Sequence, residues 1–169
     1  KEAVSKGKAK HLVKIAKRAT KALDVVHVAA RRTFYKKIIN RLGGNITNIV
    51  VGGAALRPEV ANFFAEFGIC MIQGYGLTEC APLVAANCPS VNRIGSVGKP
   101  VSFLETRLKD GEIIVKGPGV MLGYYKNEEA TNEAFVDGWF HTGDLGRFDK
   151  DGFLYITGRS KNLIILDNG

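Results

Sequence analysis

The chain has little of what would fix its structure by cross-links or metals. It holds three cysteines, Cys70, Cys80 and Cys88, in 169 residues, with no Cys-x-x-Cys pair, and only three histidines. That spacing offers no disulfide framework and makes a structural zinc site unexpected. An odd cysteine count without a framework suits a reducing compartment, so a cytoplasmic setting is expected. No apolar run approaches the roughly 20 residues a membrane span needs, and no signal-peptide pattern is visible. There is no internal repeat and no low-complexity segment. The lysines of residues 8–21 have no aromatics interleaved with them, which counts against nucleic-acid binding.

What remains is a globular composition, with 46% hydrophobic and 24% charged residues, and enough length for one domain with a real core. The charge is uneven. Residues 1–41 hold 13 Lys/Arg against Glu2 and Asp24, a net of +11, whereas residues 42–169 hold 11 Lys/Arg against 14 Asp/Glu, a net of −3. The basic character therefore belongs to one segment. Leu12, Ile15, Ala16, Ala19, Leu23, Val26 and Ala30 recur at helical spacing, with Lys10, Lys14, Lys17, Arg18 and Lys21 opposite. A core-packed helix with a solvated cationic face is the plainer expectation; a surface that attracts anionic lipid is the sharper one. The chain opens on Lys1 and stops at Gly169 just after an apolar run, and is expected to be a piece of a longer protein.

Ile46 to Val51 is a short β-branched run, expected as a buried strand. It ends in Gly52-Gly53-Ala54-Ala55-Leu56. Pro58 then opens a helix over 59–67, which Gly68 ends. Residues 69–72 form the next strand, followed by Gly74-Tyr75-Gly76. Strand, glycine turn, helix, strand, glycine turn is the pattern of a parallel α/β sheet. In such sheets ligands bind beyond the carboxyl ends of the strands. From about residue 93 short strands at 112–117, 145–148 and 153–157 alternate with Asp-Gly turns, with one helix over 128–135. The fold class expected is α/β: a parallel βα portion at 1–92, an antiparallel β subdomain at 93–158, and a hinge segment at 159–169.

The chemistry-bearing residues cluster in two motifs, Gly74-Tyr75-Gly76-Leu77-Thr78-Glu79 and Trp139-Phe140-His141-Thr142-Gly143-Asp144. Activating a carboxylic acid requires a leaving group, and transfer of AMP from ATP supplies one. Gly52-Gly53-Ala54 offers backbone without bulk to one face of an adenine, and Tyr75 offers a π-face to the other. Thr78 can donate to a phosphate oxygen, and Glu79 is a hard oxygen ligand suited to Mg²⁺. Asp144 can accept from both ribose hydroxyls, and Arg159 can reach ribose or phosphate. Singly, each has a structural reading: a turn glycine, a helix start, a turn cap, a core aromatic at Trp139 or Phe140, a structural His141. Their order and co-occurrence carry the weight.

Taken together, residues 45–169 resemble the adenylate-forming enzymes. Gly52-Gly53-Ala54 resembles the segment that lines adenine there. Gln73 to Glu79 resembles the Gly-Tyr-Gly-x-Thr-Glu motif, in which the aromatic stacks on adenine, the threonine contacts the α-phosphate and the glutamate binds magnesium. Asp144 resembles the ribose-binding aspartate, and Ile156 the apolar neighbour of the nucleotide. Gly158-Arg159-Ser160-Lys161 resembles the hinge motif, with Lys161 the pivot. The resemblance implies a nucleotide site formed by Gly52, Gly53, Ala54, Gln73, Gly74, Tyr75, Gly76, Leu77, Thr78, Asp144, Ile156 and Arg159, with Thr78 and Glu79 at the chemistry. It also implies ATP, Mg²⁺ and CoA, with a fatty acid as the acid. Gly-Tyr-Gly-Leu-Thr-Glu looks like acyl-CoA synthetases more than peptide-synthetase domains, and Gly52-Gly53-Ala54-Ala55-Leu56 with the run from Ser160 to Gly169 look most like bacterial long-chain fatty acid–CoA ligases.

The phosphate loop followed by lysine that the family carries upstream is not in this sequence, nor is the C-terminal lysine used for adenylation. This piece is therefore expected not to catalyse alone. Two other readings stay open: another adenylating enzyme, such as an aryl-CoA or fatty acyl-AMP ligase, and a non-catalytic basic module that binds nucleic acid. If the basic segment is a membrane-facing surface, neutralising Lys10, Lys14, Lys17 and Lys21 together must weaken co-sedimentation with anionic vesicles, each charge contributing about 1 kcal/mol near such a surface. Unchanged co-sedimentation would reduce the segment to a solvated helix face.

Overall fold

The computed structural model describes residues 28–160 apart from 31 and 34. The amphipathic pattern of residues 8–27 and the expected pivot at Lys161 lie outside the described residues. The chain divides into two compact units, one made of residues 1–47 with 62–70, the other of 48–61 with 71–169.

In the first unit, α1 spans Lys36–Arg41 and buries Ile39. The C-terminal half of α2, Pro58–Glu66, belongs here too. The helix ends as its sequence requires. Gly68 adopts φ +70, its N–H bonds to the Ala65 carbonyl, and that of Ile69 bonds to Phe64, which satisfies the last carbonyls of the helix. Phe67 meets Tyr35 and Phe63 edge-on at 4.7 and 4.8 Å between ring centroids. The Arg32 guanidinium donates to the carbonyls of Ile46, Gly68 and Gly44 at 2.8, 3.3 and 3.3 Å. One side chain thereby ties three loop carbonyls that no helix or strand satisfies.

The second unit carries two sheets. The first has the order β1-β2-β3-β4, with β1 at Asn48–Val51, β2 at Cys70–Gly76, β3 at Leu83–Ala86 and β4 at Lys99–Pro100. The strand-helix-strand unit β1-α2-β2 matches the sequence expectation. Two details differ. Strand β1 is an edge strand, and Val50 is 77% exposed, so its apolar run is not a buried one. Strands β3 and β4 extend the sheet antiparallel, which no periodicity in residues 83–100 announced.

The second sheet has the order β5-β6-β8-β7 with β9 on β8. Its strands are β5 Glu105–Lys109, β6 Glu112–Lys116, β7 Phe135–Val136, β8 Trp139–Phe148 and β9 Leu154–Arg159. All its pairs are antiparallel. Asp110 and Asp137 take φ +52 and +53 ahead of their glycines. That geometry closes the β5–β6 and β7–β8 hairpins with two-residue loops, as the Asp-Gly pairs predict. At the third pair, Asp149 Oδ1 accepts from the N–H groups of Asp151 and Phe153. Helix α3, Glu128–Ala134, is capped by Asn127, whose Oδ1 accepts from the Ala130 N–H.

One core joins both sheets: Cys80, Val84, Ala85, Val97, Leu104, Ile113, Val115, Phe140 and Leu154 pack together. The Val97 N–H donates to the Leu154 carbonyl and the Leu154 N–H to the Gly98 carbonyl, at 2.9 and 2.8 Å, so backbone links the sheets where the core is densest. Leu154 is fully buried whereas Leu122 is fully exposed. Leu154→Ala should lower stability by about 2–5 kcal/mol, and Leu122→Ala should stay within about 0.5 kcal/mol of the parent sequence. Urea titration reads both, and equal shifts in midpoint would contradict this placement of the core.

Candidate functional site

The two motifs converge although 60 residues separate them. In the sequence Gly74-Tyr75-Gly76 reads as a turn; in the structure it is the end of β2, with a register irregularity at Tyr75/Gly76. Gly76 is a glycine of necessity, since a Cβ there would lie 1.9 Å from the Pro82 carbonyl oxygen. The Leu77 N–H donates to that same oxygen at 2.8 Å, and a 3₁₀ turn over Thr78–Cys80 follows. Cys80 lies beneath this turn, where burial and the neighbouring Glu79 charge push its thiol up to about 11. It is a core residue and not a nucleophile.

Thr142-Gly143-Asp144 likewise reads as a turn and proves to be a bulge inside the ten-residue β8. Gly143 takes φ +73, a conformation that costs a side chain energy. Asp144 is only 4% exposed. Its Oδ2 accepts from the Tyr75 hydroxyl at 2.7 Å and its Oδ1 from Arg159 Nε at 2.9 Å. Arg159 comes from β9, in register with Asp144. Burial and the Asp144 carboxylate both hold the Tyr75 phenol above its ordinary range, so it stays a proton donor. A carboxylate has roughly four acceptor positions, and two are filled here. The other two suit a vicinal diol.

These three side chains line a cavity of about 550 Å³ together with Gly53, Ala54, Gln73, Gly74 and Ile156. Of the residues predicted for the site, Gly76 and Leu77 line it as well. Gly52 is not among its lining residues, while Ala55, Val97 and Gly158 are; sequence reasoning missed these three, small or apolar residues that only the fold places there. A second cavity, of about 640 Å³, holds Thr78 and Glu79. Gly76, Leu77 and Arg159 border both. The arrangement offers a slot of small residues for a flat ring, a buried carboxylate for hydroxyls, an arginine at the junction, and a hydroxyl and a carboxylate next door.

Glu79 Oε1 accepts from the Tyr124 hydroxyl at 3.1 Å. Among the described residues no group of three His, Cys, Asp or Glu could cage a metal. Glu79 shares the 640 Å³ cavity with Glu112 and Glu133, and such an oxygen-lined space fits Mg²⁺, which takes one or two carboxylates and keeps waters and substrate phosphates as its other ligands. Trp139 and Phe140 are structural: Trp139 lies under the Arg107 guanidinium, 4.6 Å from its ring centroid, and Phe140 is core. His141 bonds through Nδ1 to Glu112 Oε2 at 2.7 Å. Glu112 stands at the first position of β6, after a turn, where the sequence gives no sign of a role.

The AMP-binding enzyme family model matches residues 5–125. Long-chain-fatty-acid–CoA ligase FadD15 of Mycobacterium bovis is 46% identical over 148 residues, which is 87% of this chain and 25% of that protein. Long chain acyl-CoA synthetase 1 of Arabidopsis thaliana is 41% identical over 151 residues, 80% of this chain and 23% of that protein. A solved structure of o-succinylbenzoate coenzyme A synthetase (MenE) from Bacillus subtilis, in complex with ATP and magnesium ion, matches at TM-score 0.62 and 35% identity, covering 72% of this chain and 28% of that one. The chain therefore spans about a quarter of the length of the curated relatives it matches. The family model runs across the segment that carries both the Gly53-Ala54 wall and the Gln73–Glu79 motif, and this chain belongs to the AMP-binding enzymes.

Proposed function

We propose that this chain is a segment of an ATP-dependent acyl-CoA synthetase that activates a long-chain fatty acid as its acyl-adenylate and passes the acyl group to CoA. The observation that carries the reading is the Tyr75–Asp144–Arg159 constellation on one cavity walled by Gly53 and Ala54. Adenine lies between the Gly53-Ala54 backbone and the Tyr75 ring. Asp144 accepts from the ribose hydroxyls, and Arg159, at the junction of the two cavities, reaches ribose or α-phosphate. Ile156 supplies an apolar contact. Thr78 donates to the α-phosphate. Mg²⁺, when bound through Glu79, supplies positive charge to the phosphates. The in-line attack of the fatty acid carboxylate on the α-phosphorus releases pyrophosphate, and the CoA thiol then takes the acyl group.

The sequences of the Mycobacterium bovis and Arabidopsis relatives support a long-chain acid. The Bacillus subtilis neighbour acts on an aromatic acid by its name, so an aryl-CoA ligase is the second reading. We place the parent enzyme in the cytoplasm, with residues 1–41 as a candidate contact to a lipid surface and Lys161 as a hinge pivot of the parent enzyme.

The test uses the full-length parent enzyme, ATP, Mg²⁺, CoA and a series of fatty and aromatic acids, with pyrophosphate release as the signal. Release should depend on the acid and peak with long chains. Asp144→Ala removes two charge-assisted hydrogen bonds, each worth about 1.5–3 kcal/mol, and should lower kcat/KM for ATP by roughly a hundredfold or more. A peak with aromatic acids would select the second reading. Acid-dependent release that ignores Asp144→Ala would overturn the site assignment.

A further inference from the structure

We propose that Glu112 is a positioning residue for the nucleotide site, its carboxylate acting as the clasp of the β8 bulge that presents Asp144. The proposal rests on the ribose reading of Asp144 given above. Between β6 and β8 the register jumps: Glu112 faces Leu145, and two residues on Ile114 faces His141, four residues back. Two extra residues of β8 are thereby forced out of the ladder, and their backbone groups lose β6 partners. Buried backbone groups left unpaired are costly, so something must satisfy them.

Side chains do so, and Glu112 is the charged one among them. Its Oε1 accepts from the Gly143 N–H at 2.8 Å and its Oε2 is 2.7 Å from His141 Nδ1. One carboxylate thus holds both flanks of Thr142. Thr142 Oγ1 donates to the Ile113 carbonyl at 2.7 Å and accepts from the Asp144 N–H at 3.1 Å. The Gly143 carbonyl accepts from the backbone N–H and the hydroxyl of Ser160, at 2.8 and 3.0 Å. In the tautomer that donates to the carboxylate, Nδ1 of His141 is the N–H of this pair. His141 Nε2 is then a buried acceptor without a partner, a penalty the fold carries to keep Nδ1 on Glu112. Asp144 is the next residue after the clasped Gly143, and its carboxylate direction follows the bulge. Glu112 lines the 640 Å³ cavity beside Glu79 but not the 550 Å³ cavity that Asp144 faces; toward the ribose position it acts through Asp144.

The test is equilibrium binding of AMP and of 2′,3′-dideoxy-AMP to the full-length parent enzyme by calorimetry, with melting temperature measured alongside. The wild-type protein should prefer AMP, and Asp144→Asn should abolish most of that preference. Glu112→Ala should shrink the preference by about tenfold or more. Glu112→Gln should restore it to within a few-fold, because the amide oxygen still accepts from Gly143 and the amide N–H can meet Nδ1 of the other His141 tautomer. Should Glu112→Ala not fold, Glu112→Asp replaces it: a carboxylate one methylene shorter cannot reach both donors, and the preference must fall. Loss of melting temperature with the AMP preference intact would overturn the proposal and leave Glu112 a structural residue. A preference that survives Asp144→Asn would instead overturn the ribose reading, and the proposal with it.

Discussion

A carboxylate that is only 4% exposed is costly to bury unless its oxygens are hydrogen-bonded, and the site depends on how those bonds are made to Asp144. Its two oxygens are held by a phenol from β2 and a guanidinium from β9. The interaction fixes three strands from two different sheets at one point. Acceptor capacity for a diol remains on the carboxylate that organises the cavity, which is what the proposed ribose contact uses.

The rest of the fold serves that meeting. The Leu154 and Val97 backbone link brings β9 to the first sheet, and the shared core of Cys80, Val84, Ile113 and Leu154 locks the two sheets together. The 3₁₀ turn after Gly76 carries Thr78 and Glu79 away from the 550 Å³ cavity into the neighbouring one. The two cavities share a border at Gly76, Leu77 and Arg159, the layout on which the proposed division between base and ribose on one side and phosphate on the other rests.

Much of this was legible in the residues. Asp110-Gly111 and Asp137-Gly138 named their hairpins, Pro58 and Gly68 bracketed α2, and the two motifs named residues that the fold brings to two adjoining cavities. What the sequence concealed has three physical origins. Glycine signals a backbone that leaves the ordinary regions of φ and ψ, and a turn and a bulge both do so. Gly74, Gly76 and Gly143 were therefore read as chain reversals, whereas Gly74 and Gly143 lie inside strands and Gly76 is the last residue of β2. The antiparallel β3 and β4 were hidden because they are short, at four and two residues, too brief for a period of two to register. Glu112 was hidden because a glutamate after a turn is ordinary until the bulge opposite it is seen.

The most direct test of the central claim is a crystal structure of the full-length parent enzyme with AMP bound. The account predicts adenine between the Gly53-Ala54 backbone and the Tyr75 ring, with both ribose hydroxyls within hydrogen-bonding distance of the Asp144 carboxylate. AMP bound elsewhere, with Asp144 still engaged only by Tyr75 and Arg159, would contradict it.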